Sequence, residues 1–415
     1  MSRILLYSLI FSPDATANSY VFSDLARELQ RHGHEVTVIT TTPHYGVLQE
    51  NLDKQPLRDG KETWYKISDF NGIPCYHIVV PDKKGSILQR LKTFIKFHYY
   101  TRKIVKVENL STDFIISQSP PLTMGLVGGY VAKSLKAKSA YVIQDLFPDG
   151  PIIQGKIRNR LLIFLLKKLE RKVYASNDCV IAISDGIRKL VQSRIKPTTH
   201  LAVIPNFVDT NIYHPIQPDK ETIDKYQLNG KFVVSYVGNI GNAHDLSPLI
   251  YAAKELESEG VEFLIAGNGI KEQYYKNMAV EKEVKNLRFL GYISREETTK
   301  INSVSDICTV MLSSHIKGTS FPSKIYTIMA MGRPVLLSCS PECDAAGFIV
   351  NSNAGHAVSS KDWKSFSAFI HEMMINKEKL KEFSSNALKV VLNRYTKKKV
   401  GEEYDMLIKK IVREK

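Results

Sequence analysis

Cysteine is scarce and unpaired in this sequence: Cys75, Cys179, Cys308, Cys339 and Cys343 are odd in number, scattered, and form no C-x-x-C. That pattern excludes a disulfide framework or a structural zinc site as the source of stability, and it fits a reducing cytoplasm. No window reaches about 18 uninterrupted apolar residues, so no segment is expected to span a bilayer. The opening run to Ile10 resembles the start of a signal peptide. Ser12-Pro13-Asp14 follows too soon for an apolar core and a cleavage site, so the run reads as a first buried strand. The chain also lacks a G-x-G-x-x-G fingerprint, a Walker P-loop, a D-x-D carboxylate pair, an internal repeat and any low-complexity tract. Acid is in deficit, with 42 acidic against 57 basic residues and a net charge of +15. Such a field favours anionic partners: nucleotides, nucleic acid, acidic lipid or phosphorylated carriers.

At 415 residues, the chain is long enough for two domains with separate cores, and 43% hydrophobic with 24% charged residues is ordinary soluble composition. The first half alternates short β-rich runs with helical patterns, the signature of an α/β parallel sheet with crossover helices. Strands are predicted at residues 4–9, 35–40, 73–80, 114–117, 140–143, 179–183 and 202–204. A helix is predicted over 19–32, where Val21, Leu25, Ala26 and Leu29 share one face. After a polar, proline-marked stretch the pattern restarts. Strands at 232–237, 262–266 and 287–290 alternate with helices at 246–256 and 270–279. The reading is two Rossmann-like doubly wound domains, 1–207 and 208–394, facing a central cleft. A charged amphipathic helix over 395–415 either packs at the surface or crosses back to the first domain.

Residues 318–335, G-T-S-F-P-S-K-I-Y-T-I-M-A-M-G-R-P-V, join a helix start, a lysine and a buried strand. Pro322 fits a first helical turn, Gly332 fits the helix end, and Lys324 would stand beside free helix N–H groups as part of an anion site. The alternative is an ordinary surface loop, capped helix and core strand. Gly238-Asn239-Ile240-Gly241 and Gly267-Asn268-Gly269 each follow a strand, where glycine either admits a diphosphate to the backbone or only makes a tight turn. Gln144-Asp145-Leu146-Phe147-Pro148-Asp149 follows a strand too. There Asp145 either orients a hydroxyl or caps a turn, and Asp149 is either part of the site or solvated. In the loop 11–19, Thr16, Asn18 and Ser19 either meet a ligand or cap the next helix. Residues 83–106 and 156–172 mix basic and apolar side chains, with no acid in the first. They suit interfacial helices on an anionic membrane surface, or core helices with solvated basic faces.

Taken together these motifs resemble the retaining glycosyltransferases of family 4, of GT-B architecture. The pieces run in the family's order: Phe11-Ser-Pro, R-H-G-H-E-V-T-V-I-T from Arg31, S-P-P-L from Ser119, D-L-F-P-D from Asp145, I-S from Ile183, I-P-N-F-V-D from Ile204, Y-V-G-N-I-G from Tyr236, and P-S-K from Pro322 followed by M-A-M-G-R-P-V from Met329. The S-P-P-L, D-L-F-P-D and P-S-K forms look most like the subgroup that assembles bacterial O-antigen, capsule and exopolysaccharide units. The resemblance implies transfer of a sugar from a nucleotide diphosphate, a UDP-sugar by expectation, to a polyprenyl-diphosphate-linked or other saccharide acceptor with retention. It implies no cofactor and no metal, so helix N-termini and basic side chains must neutralise the leaving diphosphate. The protein would work in the cytoplasm, peripheral on the inner face of the membrane. Nucleic acid is not an expected partner, since no recognised nucleic-acid motif is present.

By matching position, Gly238, Asn239, Gly241, Ser323 and Lys324 would meet the donor diphosphate, with Ala17 and Asn18 on the first-domain loop. Gln144, Asp145 and Lys324 are the candidate catalytic residues. Gly267, Asn268 and Tyr292 belong with the donor sugar or nucleotide. Thr319 and Thr327 fall where many members carry two glutamates, and Asn239 and His244 replace an expected arginine and lysine. A threonine holds a ribose hydroxyl less strongly than a carboxylate, by ~1 kcal/mol. Two rivals follow: a nucleotide-sugar epimerase of GT-B fold, and a catalytically lapsed GT-B interaction partner.

Overall fold

The computed structural model describes residues 1–44, 46–81 and 87–414, without the side chains of Ile87 and Leu88. The chain divides into two units, Met1–Ile152 with Ile157–Asn206 and Lys397–Lys415, and Ile153–Lys156 with Phe207–Thr396. In the first, strands β1 (Arg3–Tyr7), β2 (Glu35–Thr41), β3 (Arg58–Asp59), β4 (Tyr65–Phe70), β5 (Ile73–Ile78), β6 (Phe114–Gln118), β7 (Lys138–Ile143), β8 (Cys179–Ala182) and β9 (His200–Val203) form one sheet. Their order is β3-β4-β5-β2-β1-β6-β7-β8-β9. All pairs are parallel except β3–β4 and β4–β5. The sequence reading of residues 73–80 as one more crossover strand therefore needs correcting: β5 closes an antiparallel hairpin with β4 and pairs in parallel with β2.

The second unit holds β10 (Phe232–Val237), β11 (Val261–Ala266), β12 (Leu287–Gly291), β13 (Ile307–Met311), β14 (Val335–Cys339) and β15 (Gly355–Ser359), in the all-parallel order β12-β11-β10-β13-β14-β15. Alternate residues of β10 feed two apolar layers. Val234 and Tyr236 join Leu249, Ile250 and Phe366, whereas Val233 joins Leu264, Ile301 and Val304. Burial on both faces is why these strands read as continuous apolar runs.

The C-terminal helix Lys397–Arg413 packs with the first unit, against the helix Ala17–Arg31. Its Gly401 permits that approach, because a Cβ there would lie 2.7 Å from Glu28 Cβ. The His34 ring meets Asp405 Oδ1 at 2.8 Å to close the contact.

Candidate functional site

In the second unit the strand order reverses between β10 and β13, the place where doubly wound sheets take ligands. The loop after β10 and the loop after β13 touch here, the Ser313 N–H donating to Ala243 O at 2.9 Å. The second loop leads into the helix Lys324–Ala330, anchored by the stacked rings of Phe321 and Tyr326 (5.4 Å) and of Tyr326 and Tyr395 (4.6 Å). Gly332 ends that helix with φ +65°; its N–H donates to Met329 O (3.0 Å) and the Arg333 N–H to Ile328 O (3.2 Å).

Two expectations at the helix start are corrected. Pro322 precedes the capping residue Ser323 and is not in the first turn. The Ile325 and Tyr326 N–H groups are already donated, to Pro322 O and Ser323 O at 3.1 Å each. With only 7 residues in the helix, its dipole is small. The positive charge at this place comes from Lys324 itself.

The Lys324 ammonium lies 4.4 Å from the centroid of the Tyr236 ring and donates to Tyr236 Oη at 3.4 Å. Lys324 is partly buried, its ammonium lies in the space left by the missing Gly238 side chain, and crowding by surrounding protein lowers its pKa to about 8. No carboxylate pairs with it among the described residues. A buried cation without a counter-charge is costly, and an anionic ligand would offset that cost. His244 stands close by, its ring edge-on to Tyr236 with centroids 6.3 Å apart and its Nδ1 buried without a partner. Burial first, and then the charges of Lys324 and Lys271, push its pKa down to about 3, so this imidazole is neutral at physiological pH.

The glycine turns have a packing role that their sequence did not show. A Cβ on Gly238 would fall 2.2 Å from Lys324 Nζ, so the absent side chain is the space the ammonium occupies. A Cβ on Gly267 would fall 1.9 Å from Gly238 O, and one on Gly269 2.3 Å from Ile240 O. The two turns thus lie backbone on backbone, joined by Gly238 N–H to Ala266 O (2.9 Å) and Ile240 N–H to Asn268 O (2.8 Å). Asn239 and Asn268 are exposed beside them, whereas Gly241 is buried. Thr319 is buried in the loop after β13, Ser323 and Thr327 are partly buried, and Tyr292 stands 63% exposed after β12.

In the first unit, Ala17 and Asn18 open the helix Ala17–Arg31, and the Thr16 hydroxyl caps it by accepting from the Ser19 N–H. Gln144 and Asp145 follow β7. The Gln144 side chain is committed to a reciprocal pair with Asn206, donating to Oδ1 at 3.0 Å and accepting from Nδ2 at 2.7 Å. Ser119 Oγ accepts from the Gln144 N–H (2.9 Å) and fixes this turn. The Asp145 side chain keeps contact with solvent, while crowding by surrounding protein pushes its carboxyl up from the ordinary Asp value. Asp149 is neither solvated nor free for chemistry: Lys167 (3.0 Å) and Arg194 (2.6 Å) hold it, and Arg194 also meets buried Glu170 at 2.7 Å.

Sequence reasoning missed Tyr236 as a site residue and noted His244 only as a replacement. The tyrosine carried a signal, since a phenol in a buried, mostly apolar strand needs a hydrogen-bond partner near the strand's end.

Residues 19–212 match the family model described as Glycosyltransferase Family 4, and residues 219–390 match the one described as Glycosyl transferases group 1. The sequence is 21% identical over 375 residues to the Pseudomonas aeruginosa protein named "Probable glycosyltransferase WbjE", covering 90% of each chain. It is 24% identical over 405 residues to the capsular polysaccharide biosynthesis glycosyltransferase CapM of Staphylococcus aureus, covering 93% of this chain and 98% of the other. Anabaena HepE, solved in complex with UDP, superposes with a TM-score of 0.73 at 15% identity, over 98% of this chain and 100% of that one. That last likeness is one of fold.

Proposed function

The chain belongs to the family 4 glycosyltransferases, with the parallel-sheet units of the GT-B architecture, and from that premise we propose that it moves a sugar from UDP to a saccharide acceptor in surface-polysaccharide assembly. The observation that carries this reading is the Lys324 ammonium, set against the Tyr236 ring without a paired carboxylate where the strand order reverses. It suits the diphosphate of a nucleotide sugar. The capsular polysaccharide role of CapM supports the polysaccharide setting, and the UDP bound to HepE supports a uridine-diphosphate donor.

In the proposed reaction the acceptor hydroxyl oxygen bonds to the anomeric carbon on the face from which the diphosphate departs, so configuration is retained. The bond from that carbon to the β-phosphate oxygen breaks, and the hydroxyl proton passes to the leaving phosphate. Lys324 stabilises the charge that develops there. Asn239 and His244 supply neutral polar contacts where many family members have cations. The test incubates the protein with a panel of nucleotide sugars, with and without a polyprenyl-diphosphate saccharide, and reads products by mass spectrometry. A sugar-extended acceptor is expected. Donor isomerised without acceptor would replace this reading with the epimerase, and no turnover across the panel would favour the lapsed partner that Thr319 and Thr327 suggest.

The Lys324 pKa of about 8 gives a pH dependence. Only the ammonium form attracts a diphosphate, and bound diphosphate raises its affinity for the proton. UDP affinity should therefore be highest near pH 7, where the terminal phosphate is ionised, and decline as pH rises through about 8, with net proton uptake on binding in that range. Calorimetry in buffers of different ionisation enthalpy measures both. Affinity flat from pH 6.5 to 9 would remove Lys324 from the diphosphate.

The first unit offers a surface for a lipid-linked acceptor. Its helices Ile87–Val107 and Arg160–Ala175 both pack against Thr123–Ser134. Leu91, Ile95, Tyr99, Leu161, Phe164 and Leu165 are exposed on them, with Phe164 at 64% and Leu161 at 67%. Arg90, Lys92, Arg102, Lys103, Lys168, Arg171 and Lys172 are exposed on the same two helices, and their one carboxylate, Glu170, is buried. Lys83 and Lys84, counted in the same basic stretch, lie outside the described residues. No helix among the described residues is long and apolar enough to cross a membrane. Such a face suits peripheral docking on anionic lipid, at ~1 kcal/mol per basic residue near the surface. The double variant L161E/F164E should bind phosphatidylglycerol vesicles at least about tenfold more weakly in sedimentation, an expected loss of over ~1.4 kcal/mol of apolar insertion. Equal binding by variant and parent would exclude this face.

A further inference from the structure

Lys324 reaches its position across a strand, and one side chain holds it there. Tyr236 is fully buried near the end of β10, flanked in register by Ile265 of β11 and Thr309 of β13. Its ring lies under the Lys324 ammonium at 4.4 Å, and its hydroxyl accepts from Lys324 Nζ at 3.4 Å. The same hydroxyl donates to Asn239 O at 2.7 Å. Lys324, Tyr236 and the Asn239 carbonyl therefore form one directed chain of hydrogen bonds, in which each polarises the next. The chain spans two loops that meet where the strand order reverses. We propose that Tyr236 is a positioning residue for donor binding: it holds the Lys324 ammonium in its charged form without a carboxylate, and ties it to the glycine turn after β10.

A carboxylate in that place would hold the ammonium more strongly but would repel the diphosphate. A neutral phenol and its ring face stabilise the cation and leave its charge for the ligand. The groups facing this pair are consistent with that division. His244 is neutral and edge-on to the Tyr236 ring, Lys271 acts on His244 from the next loop, and Tyr275 adds a second phenol whose pKa burial pushes up to about 12. The Asp245 carboxylate, next to His244, faces the Tyr275 hydroxyl at 3.5 Å and does not pair with Lys324, so none of these groups is a counter-ion to the ammonium. The proposal rests on the reading of Lys324 as the diphosphate-binding cation.

The test is the Tyr236→Phe variant, which removes one oxygen, keeps the ring and its packing, and is expected to fold. UDP binding is titrated by calorimetry from pH 6.5 to 9 for parent and variant, with melting temperatures recorded alongside. Loss of the hydroxyl should weaken UDP binding roughly tenfold at pH 7.5, as expected for a hydrogen bond to a charged group. It should also move the alkaline loss of binding to lower pH by about half a unit or more, because the charged form of Lys324 loses an acceptor. A uniform loss of affinity with the alkaline midpoint unmoved would mean that Tyr236 only braces the turn, and would overturn the proposal. So would unchanged binding. If the parent protein itself fails to bind UDP, the donor-site reading fails instead, and the two failures are distinguishable.

Discussion

Lys324→Ala should lower sugar transfer by about 10²–10³-fold, the scale seen when a single group that stabilises developing charge is removed from a water-excluded site. The expectation follows from what surrounds this lysine. Its helix is short and its first amides are internally bonded, and His244 is neutral. Lys271, which acts on His244 from the loop after β11, is a second cation near this place, but only Lys324 lies against the Tyr236 ring. The loss should fall on kcat as well as KM, because charge on the leaving phosphate grows as the glycosidic bond breaks. Stability should not suffer: the substitution deletes a partly buried cation without a counter-ion, and Tyr236 keeps its bond to Asn239 O. A melting temperature at or above the parent's, together with lost transfer, separates chemistry from folding. Lys324→Arg is the sharper control. It keeps the charge at all accessible pH, but the guanidinium is broader than the ammonium that fills the space at Gly238, so only partial rescue is expected. Full transfer by Lys324→Ala would sink the assignment.

Much of the scaffold around this lysine was legible, and the exceptions have physical causes. Residues 232–237 were read as a strand with the bounds of β10, and 262–266 fell within one residue of β11. Both are buried on two faces and end in glycine. Gly332 marked its helix end because a positive φ was needed there. In contrast, β13 was not read at all, although it lies between β10 and β14. Its I-C-T-V-M is short, and Cys308 and Thr309 give it no strong apolar period; the sheet on either side, not local propensity, makes it a strand. The strand β4 was missed for a related reason, since Y-K-I-S-D-F alternates weakly and is stabilised by its hairpin partner β5. At the site, motif order gave Lys324 and the glycine turns. The Tyr236 contact was beyond reach, because it depends on the packing of a helix start over a neighbouring strand. Gln144 illustrates the reverse case: its position suggested chemistry, and only the fold shows its amide committed to Asn206.

Two adjacent glycines should fail in opposite ways when replaced by alanine. Gly267 has φ +131°, and its Cβ would meet Gly238 O at 1.9 Å and Gly238 C at 2.8 Å. Those atoms are backbone of a central strand's exit and cannot step aside, so Gly267→Ala should cost more than about 3 kcal/mol and show as a large fall in melting temperature or as insoluble protein. Gly238 has φ +153°, which costs about 1–3 kcal/mol for any side chain. Its Cβ, however, would meet the Lys324 Nζ at 2.2 Å and Cε at 3.0 Å, the far end of a flexible chain. The ammonium can swing away. Gly238→Ala should therefore fold and yet bind UDP almost as poorly as Lys324→Ala. A double-mutant cycle makes the claim quantitative: once Lys324 is alanine, adding Gly238→Ala should cost little further affinity, because both changes remove the same cation from the same place. Losses that simply add would show that Gly238 acts on the ligand by a separate route, through the shape of its turn, and that the space it leaves for Lys324 is incidental.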